Sequence, residues 1–155
     1  MTVDYDDLIP SEDHLTLTYR GQDFTGTALE KDRQGNVIAE VAFREGKKFG
    51  PSREWFPGGG VRTEETYAFD VLHGESCEWY ESGALKAEGT YELGICLRKQ
   101  EWSVDGATTS KMVLSEDSPQ YRTLQLLRAG NLSRRAPRLG RTLPGTAPAG
   151  RSDDD

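Results

Sequence analysis

Polar and apolar residues alternate along most of this chain, and glycine interrupts the alternation at regular intervals. From Leu15 to about Ser110 the pattern has period two in short runs, which predicts strands. The runs themselves repeat. Tyr19, Phe43, Tyr67 and Tyr91 fall 24 residues apart, as do Gly26, Gly50 and Gly74, and Gly35, Gly59 and Gly83. The spacing also holds for Val37, Val61 and Leu85, for Glu40, Glu64 and Glu88, and for Trp55 with Trp79. The fourth unit is one residue short, so Trp102 and Gly106 arrive one position early. Several columns in one register mark a repeat architecture, here of two short strands per unit.

Glycine marks the turns. Arg33-Gln34-Gly35, Pro57-Gly58-Gly59, Glu81-Ser82-Gly83 and Val104-Asp105-Gly106 fit three-residue hairpin loops that end in a left-handed residue. The second turn of each unit is shorter, at Glu45-Gly46 and Leu93-Gly94, and the former suits a two-residue hairpin turn. Pairing Tyr80 with Ala84 sets Trp79 opposite Leu85 and Glu78 opposite Lys86. The preceding unit likewise sets Trp55 opposite Val61 and Glu54 opposite Arg62. Four hairpins in series predict an all-β fold: an open, single-layer antiparallel meander of eight strands, about 35 Å across at ~4.8 Å per strand. On this register one face carries Trp55, Trp79, Trp102, Tyr67, Tyr91, Phe43 and Tyr19, with the small residues Ala87 and Gly89. The other carries the rows Glu40, Glu64, Glu88 and Glu54, Glu78, Glu101, with Arg62 and Lys86 between them.

These residues carry a family resemblance. The run Phe43 to Gly50, then Arg53-Glu54-Trp55-Phe56 with Gly59, and again His73-Gly74, Glu78-Trp79-Tyr80, Ser82-Gly83 and Tyr91 resemble MORN repeats. More narrowly, they resemble the bacterial MORN-variant repeat of YwqK-family antitoxins, which Phe24-Thr25-Gly26 also fits. The resemblance covers about Leu15 to Ser110. It departs from the pattern at Lys31 in the tryptophan column, at Asp70 in place of a turn glycine, and at Arg98 near the glycine column. It implies an open sheet of hairpins and, for the bacterial group, neutralisation of a toxin by binding it.

The organisation read from these patterns is an acidic arm over residues 1–14, a repeat sheet over 15–113, a capping helix region over 114–130 and a disordered tail over 131–155. Ser118 as N-cap, Pro119 at the first helical position and Gly130 just past the end bound the helix. Tyr121, Leu124 and Leu127 share one side of it and are expected to cover part of the sheet. Proline, glycine and arginine dominate from Asn131 onward, a composition that does not support a packed core.

Charge divides at the same place. Residues 1–110 hold 11 Lys+Arg and 21 Asp+Glu, a net of −10, whereas residues 111–155 hold 8 and 5, a net of +3. Between Ser118 and Arg151 there are seven arginines and no acids. The nearest polyanion for that basic stretch is the protein's own sheet, so self-association or plain solvation is expected rather than nucleic-acid binding. The 17 glycines in 155 residues, and an apolar share of only 35%, suit hairpins with one apolar face. No run of 18 apolar residues and no secretory leader pattern is present, which leads to the expectation of a cytoplasmic protein.

Catalytic chemistry finds no constellation. His14 and His73 have no nucleophile or ligand set at a defined spacing. Gly58-Gly59-Gly60 lacks the lysine and hydroxyl residue of a phosphate loop. Neither cofactor nor metal is expected. Cys77 is expected opposite Ala87 and Cys96 near Tyr91, about 13 Å apart along the strand, so both should be free thiols. The tryptophans have two readings: packing over small neighbours, or a partly open binding groove, since aromatics anchor protein interfaces.

The leading expectation is a non-enzymatic antitoxin or immunity protein that blocks a cognate toxin by direct binding. An acidic sheet favours a basic partner such as a nuclease. The candidate partner-binding residues are Glu40, Glu64, Glu88, Glu54, Glu78, Trp55, Trp79, Tyr67 and Tyr91. The alternative is a membrane- or protein-associated MORN scaffold, with only the arginine tail available to anionic lipid. No small-molecule substrate is expected.

Overall fold

The 24-residue period reappears in space as a stack of hairpins. The computed structural model describes residues 1–130; the tail expected over 131–155 lies outside them. Eight strands form an antiparallel meander in chain order: β5 (Gly26–Lys31), β6 (Val37–Arg44), β7 (Lys47–Trp55), β8 (Val61–Ala68), β9 (Val71–Trp79), β10 (Leu85–Glu92), β11 (Ile95–Trp102) and β12 (Thr108–Val113). The expected open meander is therefore present. A ninth strand, β1 (Thr2–Asp4), adds in parallel to β5. A separate three-stranded sheet contains β2 (Ile9–Pro10), β3 (Leu17–Tyr19) and β4 (Gln22–Asp23).

The turns are those the sequence implies. Gly35, Gly59, Gly83 and Gly106 all sit at φ between 85° and 87°. Each loop closes as expected, with Tyr80 N–H donating to the Ala84 carbonyl at 2.8 Å in the third unit. The two-residue turns have positive φ at both positions, Glu45-Gly46, Phe69-Asp70 and Leu93-Gly94, the geometry that matches strand twist. Asp70 holds the position its glycine counterparts hold because aspartate tolerates left-handed backbone better than most residues. These turns also stack. Gly46, Asp70 and Gly94 N–H donate to the carbonyls of Phe24, Lys48 and Leu72, at 2.8, 3.1 and 2.8 Å. One backbone bond thus ties each turn to the preceding unit, and a side-chain bond adds to it: Thr25 Oγ1 accepts from Glu45 N–H, Asp70 Oδ1 from Lys48 N–H and His73 Nδ1 from Leu93 N–H.

The strand register differs from the expected one in a regular way. Trp79 opposes Leu85 and Trp55 opposes Val61, as the loops require. One step further, Glu78 opposes Ala87 instead of Lys86, and Glu54 opposes Thr63 instead of Arg62. A bulge inserts one residue at each such point: Ile38, Arg62, Lys86 and Thr109. Two residues then oppose one, and every side chain past the bulge changes face. The bulges share the repeat spacing, so they belong to the unit itself.

The buried core lies at the N-terminal end. Val3, Leu8, Phe24, Ala28, Val41 and Phe43 form one cluster, with Tyr5, Leu17 and Tyr19 packed against it. Phe24 is 1% exposed, and its ring sits 5.8 Å from Phe43 and 6.1 Å from Tyr19. Tyr19 was expected on the meander; it belongs instead to β3, whose small sheet supplies a local second layer. Residues 1–14 supply β1, β2 and a single helical turn, Tyr5–Asp7, between them.

At the C-terminal end helix α1 (Pro119–Ala129) packs against β11, leaving the edge strand β12 exposed. Ser118 Oγ accepts from Tyr121 N–H at 3.2 Å, and Pro119 follows it, as the sequence implies. Leu124 is 1% exposed, and Tyr121 and Leu127 are half-buried. In the last turn Arg128 holds Glu92 of β10 through two bonds, Nε–Oε1 at 2.8 Å and Nη2–Oε2 at 2.7 Å. These bonds hold the Glu92 carboxyl below its ordinary range. The clamp is therefore fully formed above about pH 4.3 and fades as pH falls through the lowered value. Arg128→Ala should cost about 1–3 kcal/mol and should abolish the acid-dependent loss of amide protection in α1, measured by hydrogen exchange.

Candidate functional site

The periodic bulge decides which side chains share a face. Along the middle of the sheet the opposed residues run Leu29, Glu40, Arg53, Glu64, Cys77, Glu88, Gln100 and Lys111, one from each strand of the meander. Trp55, Trp79 and Trp102 lie two residues further along their strands from Arg53, Cys77 and Gln100. By alternation they project to this same side. Glu54 opposes Thr63, and Glu78 opposes both Thr63 and Ala87 on the opposite face. That face also carries Tyr67, whose hydroxyl donates to Glu65 at 2.7 Å, and Tyr91, whose ring covers Gly89.

The expected segregation into an aromatic face and a glutamate face is thus corrected. Trp55 and Trp79 share their face with Glu40, Glu64 and Glu88, whereas Tyr67 and Tyr91 share theirs with Glu54 and Glu78. The bulge is the physical cause, since it separates the tryptophan from the tyrosine of each unit. The structure therefore divides the nine candidate residues between two surfaces. Cys77 is corrected with them, since it opposes Glu88 and not Ala87. Burial, then the Glu88, Glu64 and Glu75 carboxylates, push its thiol up to about 11. Both cysteines are free, as expected.

The two faces differ in how their acids are held. Glu78 pairs with Lys86 at 2.6 Å, and Glu54 lies 4.0 Å from Arg62. These contacts were expected from direct opposition and arise from the bulge instead. On the tryptophan face Arg53 binds Glu64 at 2.8 Å, and Arg98 lies 3.7 Å from Glu75. Glu40 and Glu88 are exposed and join no ion pair among the described residues. The arrangement repeats every two strands as a column: glutamate, its cross-strand partner, and a half-buried tryptophan on the diagonal, roughly 7–8 Å from the glutamate. In the middle column Glu64, Val61, Trp79 and Glu81 line a hollow of about 280 Å³. A second hollow of about 140 Å³ lies beside Glu88, between Glu75, Arg98 and Lys111.

Sequence reasoning missed Arg53, Cys77 and Gln100 as members of this row. Their signal was available, because Arg53 and Cys77 are 24 residues apart and Gln100 follows the one-residue deletion. His73 is 4% exposed and lies within β9, where Nδ1 accepts from Leu93 N–H at 3.1 Å. This bond ties the last two-residue turn back to β9. No group of three or more His, Cys, Asp or Glu side chains forms a metal site among the described residues. No helix among them is long and apolar enough to cross a membrane.

No family model matches the chain, and no curated protein matches it. Among solved structures, a chain in the crystal structure of a GtfA/B complex bound to UDP and GlcNAc is similar over 76% of this chain, at 12% identity and a TM-score of 0.32. This chain spans 28% of that chain's length. A likeness of that size carries neither fold nor activity across.

Proposed function

We propose that this protein is a binding module that engages a basic protein partner through the tryptophan–glutamate face, and that the partner is a bacterial toxin blocked by occupancy, without chemistry of the module's own. The observation that supports this reading is the column repeated three times on one open face, with exposed carboxylates of Glu40 and Glu88 beside half-buried indoles. Exposed acids steer a basic partner and speed its encounter. Tryptophans provide the apolar anchors that dominate interface energies. The toxin assignment draws on the resemblance of the repeat to MORN-variant antitoxins. Affinity capture from the native cell, followed by co-expression with each captured protein, tests it. The expected result is a basic partner whose toxicity this chain relieves. Capture of partners that are harmless when expressed alone would sink the toxin assignment.

A further inference from the structure

We infer that the arginine-bearing segment following α1 docks across the tryptophan–glutamate columns of its own chain. The first support is spacing. The columns Glu88/Trp102, Glu64/Trp79 and Glu40/Trp55 recur every two strands, about 9.6 Å apart at ~4.8 Å per strand. Arg135, Arg138 and Arg141 stand three residues apart, and three residues of extended chain span about 10 Å. An extended segment thus carries arginines at the spacing of the columns. The outer two columns, at Glu88 and Glu40, are free among the described residues to take a cation, whereas the middle Glu64 is already held by Arg53.

The second support is position. Arg128 binds Glu92, and Glu92 alternates with Thr90 and Glu88 along β10, on the side that carries the columns. The chain therefore leaves the helix on that side, four residues or about 13 Å from Glu88. Arg135 stands seven positions past Arg128, a reach of up to about 25 Å.

The third support is chemistry. A guanidinium stacks on an indole and pairs with a carboxylate at once. Glu40 and Glu88 have no cationic partner among the described residues, and seven arginines without an acid lie between Ser118 and Arg151. Each exposed pair is weak, but tethering supplies a millimolar effective concentration. The docking concerns this chain alone. Its consequence, that the segment competes with a basic partner for the columns, rests on the function proposed above.

Acrylamide quenching of tryptophan fluorescence in the full-length protein tests the docking without any partner. Wild type is compared with the triple variant Arg135→Gln, Arg138→Gln, Arg141→Gln, with circular dichroism and unfolding midpoints to show that the sheet is intact. The expected result is a roughly twofold larger quenching constant in the variant at low salt, because the tethered cover is lost. Wild type should reach the same value at about 1 M salt, where surface charge is screened. Equal quenching at low salt would overturn the docking. A difference that grows with protein concentration would assign the contact to a second copy and overturn docking within one chain. Neither outcome bears on whether a partner is captured, so the two readings fail separately.

Discussion

Phe24→Ala should lower stability by about 3–5 kcal/mol, the range for a fully buried phenylalanine whose cavity cannot collapse. The site gives little freedom to relax. Phe24 lies between Tyr19 of β3 and Phe43 of β6, and its carbonyl accepts from Gly46 N–H at 2.8 Å, so backbone on both sides is fixed by hydrogen bonds. Because this cluster is where the meander gains a second layer, its loss should unfold β1 to β6 first. Denaturant titration should show a lower midpoint, and hydrogen exchange should show early loss of protection in residues 1–44. A midpoint shift worth less than about 1 kcal/mol would mean that this cluster does not anchor the sheet.

Gly46→Ala should be nearly as damaging, at about 2–5 kcal/mol, whereas the same change at Gly83 should cost only about 1–2 kcal/mol. Both glycines are left-handed, at φ 75° and 85°. They differ in what a methyl group would meet. At Gly46 a Cβ would fall 2.5 Å from Thr16 Cβ and 2.8 Å from the Leu17 carbonyl oxygen, while at Gly83 nothing lies within 4 Å. Leu17 N–H also donates to the Gly46 carbonyl at 2.8 Å, so the small sheet cannot move away without breaking a bond. Equal losses at the two positions, measured by thermal unfolding, would show that backbone conformation alone explains both glycines.

Much of the fold was legible because glycine and the 24-residue period fix the strands and turns independently of tertiary context. Gly83 with Tyr80 and Ala84 specified the hairpin register up to Trp79 and Leu85. Beyond that point the face assignment failed at a single residue. Leu85 and Ala87 are both apolar, so the run Leu85-Lys86-Ala87-Glu88 alternates equally well with or without a bulge at Lys86. One inserted residue then placed Glu88 with Trp79 and Tyr91 with Glu78. The small sheet was missed because β2 and β4 have only two residues each, too short to register as a period. At the other end, Ser118, Pro119 and Gly130 defined α1 from local chemistry alone, but its Glu92 clamp spans 36 residues and has no local signature. The candidate residues were legible as periodic columns; which of them share a face depended on the bulge.

Under the proposed function the tryptophan–glutamate face, and not the tyrosine face, meets the partner. Calorimetric titration of the cognate partner against two charge-reversed proteins tests it directly. One carries Glu40→Lys and Glu88→Lys, which are exposed and unpaired among the described residues; the other carries Glu54→Lys and Glu78→Lys. The first should bind at least about tenfold more weakly, a loss of ~1.4 kcal/mol, with the second within about twofold of wild type. Full affinity in the Glu40/Glu88 protein together with loss in the Glu54/Glu78 protein would contradict the account.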